Sequence, residues 1–247
     1  MMKTVDLFLR SYPLDYCWLP FLFRSMQRHV RGFRALIIVY QADQVGPPAI
    51  AECGHKLIDA GCIETFQAGP ADHRFPDDYV GQQITKLQAH ELTSADEVCY
   101  LDSDFVFIRE FTPQSKRPGT VEARDWGSVG KAVCWYPPTK ILLREEPRFE
   151  TMARHPFQYP TAIIKRCYDH VGGESGLLGF GAHFSEFNLL GNFAINHCGF
   201  SPVTVGFGDS TQEARVDDWV HQFWSHNMRL DPGKVEAKMR ELGYWEG

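Results

Sequence analysis

Residues 98–108 read VCYLDSDFVFI. An apolar run from Val98 to Leu101 meets the acidic triplet Asp102-Ser103-Asp104 and resumes as Phe105 to Ile108. β-Branched and aromatic residues in such a run predict a buried strand over Val98–Ile108. On a strand, residues i and i+2 face the same side, about 6.6 Å apart at a rise of about 3.3 Å per residue. Asp102 and Asp104 are therefore expected to present two carboxylates on one face, near the carboxyl edge of a sheet, where open α/β sheets bind their ligands. Burying two uncompensated carboxylates is costly. A hard divalent cation, Mg²⁺ or Mn²⁺, shared with phosphate oxygens is the occupant this pattern predicts.

Outward from that stretch, the first 110 residues alternate strand-like and helix-like segments. Val5–Leu9, Ala35–Tyr40 and Cys62–Phe66 read as strands that precede 98–108. Helices are predicted over Tyr16–His29, Ile50–Ala60 and Tyr79–Ser94, with a turn holding Ser11, Tyr12, Pro13 and Asp15 after the first strand. Alternation of this kind implies an α/β fold, with a mostly parallel sheet flanked by helices. Residues 112–160 are rich in Pro, Trp and Arg and read as irregular strands and long loops over a substrate cleft. A helix follows near Tyr159–Val171, then the glycine-rich stretch GGESGLLGFGAH (172–183) leads into a helix over Phe184–Asn196. The segment DDWVHQFWSHNM (217–228) precedes a Pro-Gly break and a short terminal helix.

Composition narrows the class. The 247 residues are 44% hydrophobic and 23% charged, enough apolar material for a real core. Acidic residues outnumber basic ones, 31 to 25, so the chain carries no basic footprint for a nucleic-acid backbone. The seven cysteines, an odd number with no CxxC pair, argue against a disulfide framework or a structural zinc and favour a reducing compartment. No stretch is long and apolar enough for a signal peptide or a membrane span, so a soluble, cytoplasmic protein is expected.

Two enzyme classes use an acidic triplet of this kind. Asp102-Ser103-Asp104-Phe105-Val106 matches the DxDx[TV] nucleophile motif of haloacid-dehalogenase-like phosphatases. Those enzymes place it on an early strand and need a later acidic pair after another apolar strand; here three strands come first, and Asp217-Asp218 follows no obvious strand. The other class is the nucleotide-sugar-dependent glycosyltransferases of the GT-A fold. The chain resembles a small bacterial-type GT-A glycosyltransferase, similar to the glycosyltransferase-like family of the DUF6492 type. The matching pieces are RSYPLDY, QQITKLQAHEL, YLDSDFVFIREF, HPFQYPT, FSEFNLLGNFA and HQFWSH, spread over nearly the whole chain.

The resemblance implies a Rossmann-like GT-A domain over residues 1–230, with a nucleotide-sugar-binding half (1–111), an acceptor-side half (112–230) and a C-terminal helical tail (231–247). Ser11, Tyr12 and Asp15 would hold the base and ribose of the donor, with an Asp15 helix N-cap as the alternative. Lys86 would face the diphosphate. Asp102 and Ser103 would contact the donor, and Asp102, Asp104 and His226 would bind the metal, with His221 competing for the last place. On a helical wheel Phe187, Leu190, Gly191 and Ala194 share one arc, while Ser185, Asn188, Asn192 and Asn196 share another. Glu186 falls beside the apolar arc and is read as general base, with a salt bridge to Arg166 or Arg144 as the alternative. A base there predicts inversion in a hexosyltransferase-type reaction. Trp126, Trp135, Tyr136, Phe157 and Tyr159 would grip an acceptor sugar or pack the core. The implied donor is a nucleotide-diphosphate sugar, UDP being the commonest choice. The implied acceptor is a glycan or lipid-linked glycan. A phosphatase and a non-catalytic nucleotide-binding module are the competing classes.

Overall fold

The computed structural model describes residues 3–43, 45–47, 49–71, 75, 77–153, 155–206, 209–210, 214–216, 218–223 and 232–244. It begins β1 (Val5–Ser11), a 3-10 turn at Pro13–Asp15, α1 (Leu19–His29), β2 (Phe33–Tyr40), α2 (Ile50–Asp59) and β3 (Ile63–Pro70). There follow α3 (Asp78–Leu87), α4 (Ala89–Leu92), β4 (Glu97–Leu101), β5 (Phe105–Phe107), β6 (Thr120–Ala123), α5 (Tyr136–Leu143) and β7 (Phe157–Pro160). The chain continues through α6 (Thr161–His170), α7 (Gly173–Phe180), α8 (Glu186–Cys198) and β8 (Ser201–Thr204). It ends in β9 (Asp209–Ser210), β10 (Ala214–Val216), β11 (Val220–Phe223) and α9 (Pro232–Glu241).

The central five-stranded sheet has the order β3-β2-β1-β4-β7 and is mostly parallel. Strands β1 and β2 pair in parallel from Asp6↔Ala35 to Ser11↔Tyr40, and β2 pairs with β3 from Phe33↔Ile63 to Tyr40↔Pro70. Buried on both faces, β1 and β2 read as continuous apolar runs instead of alternating ones. Polar residues interrupt these runs at Asp6, Arg10, Ser11 and Arg34; Asp6, fully buried, is gripped by the Arg34 guanidinium through both carboxylate oxygens, Nε to Oδ1 at 2.8 Å.

Contacts group the chain into two compact units that interleave along the sequence. One comprises Met1–Lys3, Arg74–Cys99 and Lys116–Phe207; the other Thr4–His73, Tyr100–Ser115 and Gly208–Gly247. This partition differs from the sequence division at residue 111. The first unit packs α6 against α8, buries Ile164, Cys167, Leu190 and Phe193, and holds β6 and β8 as a two-stranded parallel sheet. The second buries Trp18, Phe21, Val106, Phe223 and Met239 together, Trp18 stacking on Phe223 at 5.3 Å. It also holds the sheet β5-β11-β10-β9.

Several boundaries differ from those the sequence predicts. The strand expected over 98–108 is two strands, β4 and β5, in different sheets, with the acidic triplet in the turn between them. The helix expected over Tyr79–Ser94 breaks at Gln88, whose side chain donates to Tyr168 Oη and Glu174 Oε2, each at 3.0 Å. Phe157–Pro160 is a strand, so α6 starts only at Thr161. The glycine-rich stretch forms α7, capped by Gly181 in the left-handed conformation, and the stretch read as irregular contains α5.

Candidate active site

The acidic triplet sits in the second unit. Strand β4 stops at Leu101, and the Asp102 carbonyl accepts from Phe105 N at 3.3 Å, closing a four-residue turn. Strand β11 fixes the far side: Phe223 N donates to the Asp104 carbonyl at 2.9 Å, and Gln222 and His221 lie opposite Phe105 and Val106 in antiparallel register. Because the triplet is a turn, the i, i+2 argument that puts both carboxylates on one strand face does not hold. Asp102 and Asp104 share this turn, two positions apart in the sequence. Asp102 is half-buried, Ser103 and Asp104 are buried, and the Gln222 amide donates to Asp102 Oδ2 at 3.4 Å.

Two residues singled out on separate segments meet here. Ser103 Oγ donates to Ser11 Oγ at 2.8 Å, tying the turn to the carboxyl end of β1. Tyr12 continues in extended conformation and is half-buried; Asp15 closes the 3-10 turn, buried, its amide donating to the Tyr12 carbonyl at 2.9 Å. The N-cap of α1 is Trp18, so Asp15 does not cap that helix. Sequence reading passed over Arg10, which is 2% exposed and whose guanidinium donates to the Ser11 carbonyl. An arginine inside an apolar strand was the available signal, since such a residue is buried only with partners.

His221 is also buried at this edge. Its ring stacks on Phe223 at 4.2 Å, and Nδ1 lies 3.2 Å from Tyr244 Oη, while Nε2 has no hydrogen-bond partner among the described residues. Burial, aided by the Lys238 charge, pushes its pKa down to about 4, so the imidazole is neutral. His226 lies outside the described residues. Among the described residues no trio of His, Cys, Asp and Glu is placed to hold a metal. Two carboxylates are a hard oxygen donor set that leaves most of an octahedral shell to water and phosphate. Asp102 and Asp104 thus fit Mg²⁺ or Mn²⁺ completed by a substrate, and do not fit a cation caged by protein alone.

The other two candidates, Lys86 and Glu186, meet each other in the first unit. Lys86 Nζ lies 2.9 Å from Glu186 Oε1, with the residues 3% and 2% exposed, and the Gln83 amide, turned with its NH₂ toward the carboxylate, donates to the same group. Glu186 occupies the first turn of α8, where the helix N-terminus favours negative charge, and the Lys86 ammonium lies 4.9 Å from the Phe187 ring centroid. The ion pair considered for Glu186 exists, but its cation is Lys86: Arg166 instead donates to the His197 carbonyl at 3.4 Å.

The remaining polar residues of α8 grip the segment before β7. Ser185 caps the helix through the Asn188 amide at 3.2 Å. Asn188 accepts from Thr151 N at 2.7 Å; Asn192 accepts from Arg148 N at 2.8 Å and donates to the Phe149 carbonyl at 2.8 Å. A Cβ on Gly191 would come within 2.3 Å of Thr151 Oγ1, so only glycine permits this approach. Glu150, fully buried, pairs with Arg124 at 2.6 Å. Of the aromatic residues read as acceptor grips, Phe157 stacks on Phe187 at 3.9 Å and Tyr159 is buried, whereas Trp126, Trp135 and Tyr136 are half-buried.

No family model matches this chain, and no curated protein matches it. Among solved structures it is similar to the crystal structure of the glycosyltransferase GlyE of Streptococcus pneumoniae TIGR4, at 10% identity and a TM-score of 0.50. The fold is GT-A-like. The match covers 83% of this chain and 45% of the other, so the chain spans less than half the length of that structure. The resemblance read from sequence therefore holds as a glycosyltransferase-like fold, and these comparisons do not extend it to the DUF6492 type. No helix among the described residues is long and apolar enough to cross a membrane.

Proposed function

We propose that this chain is a metal-dependent glycosyltransferase that moves a sugar from a nucleotide-diphosphate donor, UDP-linked in the simplest case, to a hydroxyl acceptor. The observation that carries the reading is the Asp102-Ser103-Asp104 turn, tied through Ser103 to the end of β1 in a GT-A-like fold. Asp102 and Asp104 would hold Mn²⁺ or Mg²⁺, which when bound neutralises charge on the leaving diphosphate. Ser103 and Ser11, buried and bonded to each other, hold the turn against the end of β1. Arg10 braces the backbone of Ser11 from beneath. Tyr12, half-buried at the same strand end, would stack on the base. A base role for Glu186, and the inversion that would follow from it, require Lys86 to release a carboxylate that it now holds at 2.9 Å.

The test is a thermal-shift titration with nucleoside diphosphates, each with and without Mn²⁺, on the parent chain and on Asp104→Asn. UDP with Mn²⁺ should raise the melting temperature more than either alone, and the variant should lose the metal-dependent part and the accompanying donor hydrolysis while keeping its own melting cooperative. If no nucleotide stabilises the chain in either condition, or if Asp104→Asn turns over like the parent, the reading fails.

A further inference from the structure

The glycine-rich stretch 172–183 has no part in the site above, yet it builds a pocket. Where α7 ends and the chain turns toward α8, Leu177, Leu178, Ala182 and His183 face Asp77 and Val80 at the start of α3 across a cavity of about 460 Å³. That volume lies in the range of small-molecule sites, roughly 300–1,000 Å³. Two large apolar side chains are left exposed here, Leu178 in the lining and Tyr79 beside it, each 39% accessible. Tyr79 contacts the His183 ring at 4.7 Å and lies nearly parallel to Trp135 at 6.3 Å, forming an aromatic rim.

Among the described residues, the polar side chains that line the pocket are Asp77 and His183, which form one dyad. Asp77 Oδ1 caps α3, accepting from Tyr79 N at 2.8 Å and Val80 N at 3.3 Å, while Oδ2 meets His183 Nε2 at 3.0 Å. The hydrogen bond from His183 holds the Asp77 carboxyl below its usual range. Both Asp77 oxygens are thus engaged, and His183 Nδ1 is the ring nitrogen left to meet a ligand. A bare sugar presents a hydroxyl on almost every carbon and would desolvate most of them against Val80, Leu177, Leu178 and Ala182 without return. A ligand with an apolar end and a single first polar group fits both the walls and the dyad.

We propose that this pocket takes the alkyl chain of an amphipathic glycoside, its first polar atom hydrogen-bonded by His183. That the pocket selects an apolar chain does not rest on the glycosyl-transfer reading. The test is therefore run without donor or metal. Octyl β-glucoside, below its micelle-forming concentration, and methyl β-glucoside differ only in the chain and are compared by isothermal titration. The octyl compound should bind at least about tenfold tighter, since each buried methylene contributes about 0.8 kcal/mol and tenfold is about 1.4 kcal/mol. Leu178→Glu and Ala182→Trp, both at exposed positions, should abolish binding with melting temperature retained. His183→Ala should weaken it severalfold. Equal binding of the two glucosides, no binding of either, undiminished binding to Leu178→Glu, or a concentration-dependent dimer sealing the pocket would each overturn the proposal. A failure here leaves the thermal-shift result with nucleotide and Mn²⁺ untouched, and the converse holds.

Discussion

The α8 region and the Asp102–Asp104 turn carry the same sequence signal, charged or amide side chains set among apolar ones, and the structure sets it in a helix in one case and in a turn between two sheets in the other. On α8 every buried polar group is matched by another part of the protein: Glu186 by Lys86 and Gln83, Asn188 by Thr151, Asn192 by the backbone of 148–149. In the turn, two like charges stand one residue apart, and a serine hydroxyl binds them to a neighbouring strand end. A buried polar residue in an apolar context is thus as readily a structural clamp as a site. On α8 the opposite charge of Lys86 within reach of Glu186 marks the clamp.

The contrast breaks first at Lys86. Lys86→Met strands a buried carboxylate and should cost about 3–5 kcal/mol in urea unfolding. The double variant Lys86→Met/Glu186→Leu should recover most of that loss. If the single change costs nothing measurable, Glu186 is not compensated by Lys86 and returns as a candidate base. Next, Gly191→Ala drives a methyl into Thr151 and should destabilise by about 1–3 kcal/mol. Asn192→Ala, which orphans the Arg148 and Phe149 amides, should cost about the same. A neutral result for both would mean that α8 does not clamp the 148–151 segment.

On the turn's side, His221 sharpens the comparison through pH. Its folded pKa, about 4, lies below the ordinary value of about 6.5. Between these limits the unfolded chain binds the proton and the folded chain does not. Stability is therefore complete above about pH 6.5 and falls as pH drops toward about 4. His221→Phe should flatten that part of the curve, read as the difference in urea midpoint between the two proteins at about pH 7 and about pH 4.5. An unchanged slope would place the titration elsewhere. Smallest of all, Ser185→Ala removes a helix cap and should cost about 1 kcal/mol, checked by thermal unfolding.

How much of this was legible in the chain depends on how local the cause is. Strands β1 and β2 were readable because burial on both faces leaves continuous apolar runs, and α1 and α8 because their apolar spacing is helical. The break at Asp102 was not, since VCYLDSDFVFI reads alike as one long strand or as two joined by a turn. At the break the Gln88 side chain bonds Tyr168 and Glu174, far along the chain, and nothing in QQITKLQAHEL announces it. The pairing of Lys86 with Glu186 joins positions 100 residues apart, beyond what spacing within a segment can reveal. The meeting of Ser11 with Ser103 joins positions 92 residues apart and was likewise out of reach of spacing within a segment.

The interleaving of the two compact units has a practical corollary. Tyr100–Ser115, which carries the acidic turn, leaves the company of its sequence neighbours on both sides and clusters with segments from near the two termini. Neither unit can be excised as a continuous fragment, and a single scission at residue 111 would leave pieces of both on each side of the cut. Expressed halves should be recovered, if at all, only by co-expression and reassembly.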